Sequence, residues 1–395
     1  MKKEAIIVTI VLLMLVVFSP ACVHEESNSK EIKTGADKVN EWAYKLEDKK
    51  VGLLVNHTAL TTDGEHIVDT LLALGVNVDR IFVPEHGFRG DADAGEHIDD
   101  SVDPDTGLPI VSLYGESRKP SMEQMGGLDI VLFDIQDVGA RFYTYISSMH
   151  YMMEACGEAD IPMIVLDRPN PTGDYFDGPV LDLDFQSFVG MHPIPLVHGL
   201  TVGELALMIN GEGWLNDGIE CDLTIVEVDN YSKDMFYSVL VPPSPNLPND
   251  LSIRLYPSLC FFEATNVSIG RGTTFPFQVI GYPDPSYGEF SFTPRSIKGM
   301  ASSPPQQDEE CFGVDLRDLD PLEQKFTLKY YIDFYHLSGE DSEFTSRRGW
   351  FNLLAGNDIL IEQIESGMSE EEIRLTWKEE HKKYDKQREP YLLYE

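Results

Sequence analysis

Cysteine is scarce and scattered: five residues, at 22, 156, 221, 260 and 311, with no Cys-x-x-Cys pair. That spacing excludes a zinc ribbon and a thioredoxin-like redox motif. Cys156 and Cys260 lie in apolar stretches and read as buried free thiols. The histidines show no His-x-His or His-Glu-x-x-His spacing, so no metal site is expected. A Gly-rich phosphate loop after the first apolar strand is missing, and no nucleotide or other cofactor is expected. A Gly-x-Ser-x-Gly elbow is missing too, which argues against a serine esterase. Basic residues are outnumbered, 30 Lys+Arg against 67 Asp+Glu, for a formal charge of −37. Such a field repels nucleic acid, so no nucleic-acid partner is expected, and an anionic ligand needs locally placed arginines. No internal repeat is visible, and after the first 20 residues no apolar run is long enough to cross a membrane.

What the sequence does have begins at residue 1. Lys2 and Lys3 precede an apolar run over residues 5–18 and then Ser19-Pro20-Ala21-Cys22. A basic start, a short apolar core and small residues make a secretory signal. Cys22 after Ala21 resembles the lipidated cysteine of bacterial lipoproteins, although Ser19 stands where an aliphatic residue is usual. The expectation is an extracytoplasmic protein held at the membrane surface through Cys22, with residues 1–22 as signal and residues 23–45 as a polar tether. A plain secretory signal or an uncleaved anchor is the alternative.

From residue 51 to about residue 229 short apolar runs alternate with helix-like segments. Residues 51–55, 80–83, 130–135, 162–166 and 223–228 read as strands. Residues 67–74 and 145–159 read as helices, the latter with Ile146, Met149, Met153 and Cys156 on one face. Thr201 and Glu204 form a capping box opening another helix. This alternation predicts an α/β domain over residues 46–248, a mostly parallel sheet with helices on both faces. The Pro-rich stretch 241–248 continues neither helix nor sheet and reads as a connection. Residues 249–395 read as a smaller α+β domain, with its clearest helix opened by a capping box at Ser369 and Glu372.

Polar residues cluster just after the strands: Asn56-His57, Glu85-His86, Gln136-Asp137 and Asp167-Arg168. The carboxyl ends of parallel strands form the ligand crevice of such sheets, so four strand ends point to one site. The run from Pro84 to Glu96 holds a carboxylate beside a histidine in a glycine-punctuated loop, equipment for acid–base chemistry; a calcium loop or a solvated acidic turn is the alternative. A second run, from Phe133 to Tyr145, combines Asp134, Asp137, Arg141, Tyr143 and Tyr145, and aromatic rings beside polar groups suit a sugar. The competing reading makes both tyrosines core residues and pairs Asp134 with Arg141.

Several longer motifs belong together: Asn56-His57-Thr58, Pro84-Glu85-His86-Gly87, Asp91-Ala92-Asp93-Ala94-Gly95-Glu96, the segment 103–109, Ser112-Leu113-Tyr114-Gly115, the segment 133–139, Asp167-Arg168-Pro169-Asn170-Pro171, Glu263-Ala264-Thr265-Asn266 and Gly270-Arg271-Gly272-Thr273-Thr274. With these the chain resembles the exo-β-N-acetylmuramidase (NamZ) family from about residue 50 onward. The resemblance implies a Rossmann-like catalytic domain, an ancillary C-terminal domain, and release of N-acetylmuramic acid from the non-reducing end of peptidoglycan-derived oligosaccharides. It implies Glu85 as the catalytic glutamate with His86 beside it, and Glu154 or Glu96 as candidates for a second group. Asn56, His57, Arg89, Asp134, Gln136, Asp137, Tyr143, Asn170 and Asn266 become candidate substrate contacts. Arg141, Arg168 and Arg271 are the candidates for gripping the lactyl carboxylate of muramic acid. A non-catalytic sugar- or peptidoglycan-binding lipoprotein is the rival reading.

Overall fold

The structure is a computed structural model that describes residues 30–85, 87–88, 100–115 and 117–395. Its frame follows from strands buried on both faces. β1 (Lys50–Val55) has only its first residue exposed and pairs in parallel with β2 (Asn77–Val83) on one side and β5 (Ile130–Asp134) on the other. β4 (Pro109–Ser112) extends the sheet beyond β2, with the two-residue β3 (Ser101–Val102) antiparallel at its edge. β6 (Met163–Leu166) and β9 (Leu223–Val226) continue it beyond β5, both in parallel. The order β3-β4-β2-β1-β5-β6-β9 therefore runs outward from β1 and then restarts on its other side at β5. The crevice of such a sheet lies at that reversal, at the carboxyl ends of the strands.

Alternation along the strands feeds two apolar layers. Val51, Leu53, Val55, Ile81 and Leu132 pack on one face with Val68 and Leu71 of α1 (Ile67–Ala73) and with Trp42. Leu54, Phe82, Phe133 and Val165 pack on the other with α2 (Tyr145–Ala159) and α3 (Val202–Gly211). Gly52 makes this close packing possible, since a Cβ there would lie 2.8 Å from the Leu128 side chain and 3.2 Å from Phe82. The α/β expectation, with helices on both faces, is what the structure has. α2 departs from the one-faced helix read from its spacing. Ser147, Ser148, His150 and Glu154 are buried as well, because residues 188–216 cover that side: Phe188 O accepts from Ser147, His192 meets His150, and Asn216 N donates to Glu154.

That second half starts with α4 (Asp250–Leu259), buried along its length from Leu251. A three-stranded antiparallel sheet follows, β10 (Val279–Tyr282), β11 (Phe290–Phe292) and β12 (Cys311–Asp315), with β12 in the middle. α5 (Lys329–Leu337), α6 (Arg348–Ala355), α7 (Ile359–Glu365) and α8 (Glu370–Arg388) complete it. Both expected capping boxes are present, Thr201 with Glu204 and Ser369 with Glu372. Residues Ile32–Glu395 pack as one compact unit. Phe133 and Met149 share a single core cluster with Phe261, Phe351 and Trp377. All four cysteines after Cys22 are buried and free.

Arg141, a candidate substrate contact, is instead a fastening of this unit. It is fully buried. Its Nη1 donates to Pro179 O and Ile194 O, both at 2.8 Å, and its Nη2 to Leu354 O (3.0 Å) and Ala355 O (2.7 Å). It thus joins the antiparallel pair β7 (Asp177–Val180) and β8 (Pro195–Val197) to the last carbonyls of α6, which lack partners within the helix. Burial pushes its pKa down to about 9. Gly356 completes the joint: its φ of +78° ends α6, and a Cβ there would lie 2.7 Å from Nη2. Arg141→Met strands four carbonyl acceptors, so urea unfolding should show a loss of about 3 kcal/mol or more. A change under about 0.5 kcal/mol would contradict this role.

Candidate active site

A cavity of about 460 Å³ opens at the carboxyl edge of the large sheet. The loops after β2, β4 and β5 supply one wall through Glu85, Tyr114, Tyr143 and Thr144. The other wall comes from the 241–248 connection and the second half, through Asn246, Glu263, Arg271 and Trp350. Pro84 follows β2, and a turn bonded from Gly87 N to Pro84 O (3.1 Å), with Gly87 at φ +72°, sets Glu85 at its bend.

Both carboxylate oxygens of Glu85 are held. Tyr114 Oη donates to Oε1 at 3.0 Å, and Thr144 Oγ1 to Oε2 at 2.9 Å. Burial, and then the Glu85 charge, raise the Tyr114 phenol well above its ordinary range, so it stays a donor at any working pH. Thr144 occupies the N-cap position of α2, yet its side chain makes no capping bond. An N-cap hydroxyl ordinarily contributes about 1 kcal/mol to its helix. Here it is spent on a carboxylate facing a cavity, a local rule broken of the kind found at functional sites.

Beneath Glu85 the other strand-end residues bind one another. Asp134 and Arg168 form a buried bidentate pair, Nε–Oδ1 2.5 Å and Nη2–Oδ2 2.8 Å, and Arg168 also donates to Leu60 O at 2.9 Å. Asp134 thus pairs with Arg168, not with Arg141. Asn56 Oδ1 accepts from the backbone and hydroxyl of Thr58. Gln136 Nε2 donates to Asp137 O and Pro169 O. Asp137 Oδ2 accepts from Gly139 N at 2.7 Å and lies 3.4 Å from His198 Nε2. Asn170 bridges Leu200 O and Thr172. Asp167 accepts from Thr201 Oγ1, Gly203 N and Tyr394 Oη, and burial lifts its pKa to about 6. The connection is tied to the same floor: Pro242 O meets His57 Nε2 at 2.8 Å, and Pro243 O accepts from Tyr143 and Tyr145 at 2.8 and 3.0 Å.

Of the candidate residues, Glu85, Tyr143 and Arg271 line the cavity. Asn56, Asp134, Gln136, Asp137, Arg168 and Asn170 are buried supports below it. Tyr145 is core, and Tyr143 is both buried and part of the wall. Glu154 is not in the cavity. It lies ten residues along α2 from Thr144, about 15 Å at the helical rise, where it contacts Lys119 (3.2 Å), His150 (3.6 Å) and Asn216 N (2.9 Å). Asn266 is exposed, and its carbonyl accepts from Gln306 Nε2. His86, Arg89 and Glu96 lie outside the described residues. Among the described residues no cluster of histidine, cysteine, aspartate and glutamate is placed to hold a metal.

Tyr114, Arg118, Thr144 and Glu263 belong to the site and were not among the candidates. Tyr114 and Glu263 lie inside quoted motifs. Thr144 directly precedes the helix read from residue 145, and a threonine in that place is an N-cap signal that could have singled it out. Arg271, the one candidate arginine among the described residues that lines the cavity, is paired with Glu263 at 2.5 Å.

Two family models match nearly the whole described chain: "Exo-beta-N-acetylmuramidase NamZ, N-terminal" over residues 51–251 and its C-terminal counterpart over residues 254–394. The peptidoglycan beta-N-acetylmuramidase NamZ of Bacillus subtilis (strain 168) is 39% identical over 396 residues, covering 95% of this chain and 94% of that protein. Two crystal structures of DUF1343 family proteins from Bacteroides fragilis NCTC 9343 share the fold. One is 45% identical with a TM-score of 0.85, covering 93% of this chain and 99% of its own. The other is 31% identical with a TM-score of 0.81, covering 92% and 99%. A chain matched end to end in this way, with a gripped carboxylate in its strand-end cavity, belongs to the NamZ exo-β-N-acetylmuramidase family.

Proposed function

We infer that Glu85 is the acid/base group with which this chain cleaves a β-glycosidic bond. The chain is an exo-acting glycoside hydrolase that releases N-acetylmuramic acid from the non-reducing end of peptidoglycan fragments. The observation that carries the role of Glu85 is its carboxylate, oriented through both oxygens by Tyr114 and Thr144 and turned into the cavity. A volume of about 460 Å³ falls within the range of small-ligand sites.

In the reaction the bond between C1 of the muramic acid and the bridging oxygen breaks. Glu85 gives its proton to the departing oxygen and regains one from the water whose hydroxyl ends on C1. Tyr114 and Thr144 are positioning residues: they fix the plane of the carboxyl group. The chain works outside the cytoplasm, carried there by the signal over residues 1–22 and anchored by lipid on Cys22. The basic start, the apolar run and the Ala21-Cys22 junction support this. Incorporation of labelled palmitate, abolished by Cys22→Ala, is the expected result; undiminished labelling of the variant contradicts the anchor.

Hydrolysis of an aryl N-acetyl-β-muramide tests Glu85. Glu85→Gln should lower kcat by about 10²- to 10⁴-fold with KM changed little. Tyr114→Phe should lose far less, and shift the pH–rate profile, because it disturbs the acid without removing it. Near-normal turnover by Glu85→Gln would overturn the assignment.

A further inference from the structure

We infer that Arg118 reads the lactyl carboxylate of the terminal sugar, and so sets the preference for muramic acid over glucosamine. The inference rests on the proposed reading of the cavity as the site that holds that sugar. N-acetylmuramic acid differs from N-acetylglucosamine only by a lactyl ether on O3, which ends in a carboxylate. A chain of charge −37 repels that group at a distance, so recognition depends on a cation inside the cavity.

Among the described residues two cations line the cavity, Arg118 and Arg271. Arg271 is committed to Glu263 at 2.5 Å, with its guanidinium 5.0 Å from the centre of the Phe277 ring. The two other arginines proposed from sequence are spent below the site, Arg141 on four carbonyls and Arg168 on Asp134.

Arg118 differs from all three. It is exposed, and its guanidinium lies 4.2 Å from the centre of the Phe188 ring. No carboxylate among the described residues is within ion-pair distance of it. Stacking occupies one face of the guanidinium and leaves its N–H edge open, the geometry that takes a carboxylate through two bonds. Phe188 is itself fixed, buried and stacked on Tyr151. Position relative to the acid fits as well. Tyr114, which holds Glu85, sits four residues earlier in the same loop, its ring 6.3 Å from that of Phe188. Arg118 and Glu85 both line the cavity and are linked through two neighbouring rings, Arg118 on Phe188 and Glu85 on Tyr114. A sugar with its C1 at Glu85 can present its O3 substituent there.

Calorimetric titration of the full chain in detergent micelles tests this with three probes: N-acetylmuramic acid, its lactyl methyl ester and N-acetylglucosamine. The wild type should bind the acid about 10- to 100-fold more tightly than the ester or N-acetylglucosamine. Arg118→Ala should remove that gap while binding the two uncharged probes as before, and Arg118→Lys should restore part of it. Retention of the gap in Arg118→Ala overturns the inference. So does equal weakening for all three probes, or a wild type that fails to discriminate. The readout is separate from the role of Glu85: if Glu85→Gln still cleaves muramides yet the gap depends on Arg118, only the acid assignment falls.

Discussion

A polar side chain at the end of a buried strand must find its hydrogen-bond partners inside the protein, because an unpartnered one costs about 1–3 kcal/mol. The central sheet carries such residues after β1, β2, β5 and β6, and their partners determine what each can do. Asp134 closes on Arg168, Gln136 on the backbone of Asp137 and Pro169, and Asp167 on Thr201, Gly203 and Tyr394. Together they lock the loops of adjacent strands into a rigid floor. Glu85 is held too, but by hydroxyls at its flanks, which leaves the carboxyl group facing the cavity. A site built on a floor of satisfied polar groups keeps its geometry without help from the ligand.

The arginines divide by the same logic. Burial without a carboxylate partner makes Arg141 a fastening between backbone segments. A buried partner makes Arg168 part of the frame. A cavity-facing carboxylate, Glu263, engages Arg271, and only Arg118 keeps an open edge among these four. In a chain with more than twice as many acidic as basic residues, the location of an uncommitted cation is informative. The number of cations is not.

The frame of the fold was legible because β1, β5 and β6 are uninterrupted apolar runs, buried almost throughout, and because Thr201 and Ser369 open helices with full capping boxes. The edge strands β3 and β4, the β7–β8 pair and the small sheet of β10–β12 were not. They run for two to five residues between turns, and most are interrupted by Gly, Pro, Ser or Asp, which leaves neither an apolar run nor an alternation to read. At the site, Glu85 was legible from its position after a strand in a glycine-punctuated loop. The strand-end rule placed its neighbours in the right region but could not say which would face inward. That choice depends on partners distant in sequence, such as Arg168 for Asp134 and Tyr394 for Asp167. Arg118 had no local signal at all, since its significance comes from Phe188, 70 residues later.

The central claim is that the terminal sugar sits in the strand-end cavity with its glycosidic bond at residue 85. A crystal structure of Glu85→Gln soaked with a muramyl disaccharide tests it most directly. The account predicts the non-reducing sugar inside the cavity, with its glycosidic oxygen about 3 Å from the residue 85 amide. A disaccharide bound elsewhere on the chain, or in the cavity with that oxygen far from residue 85, would contradict it.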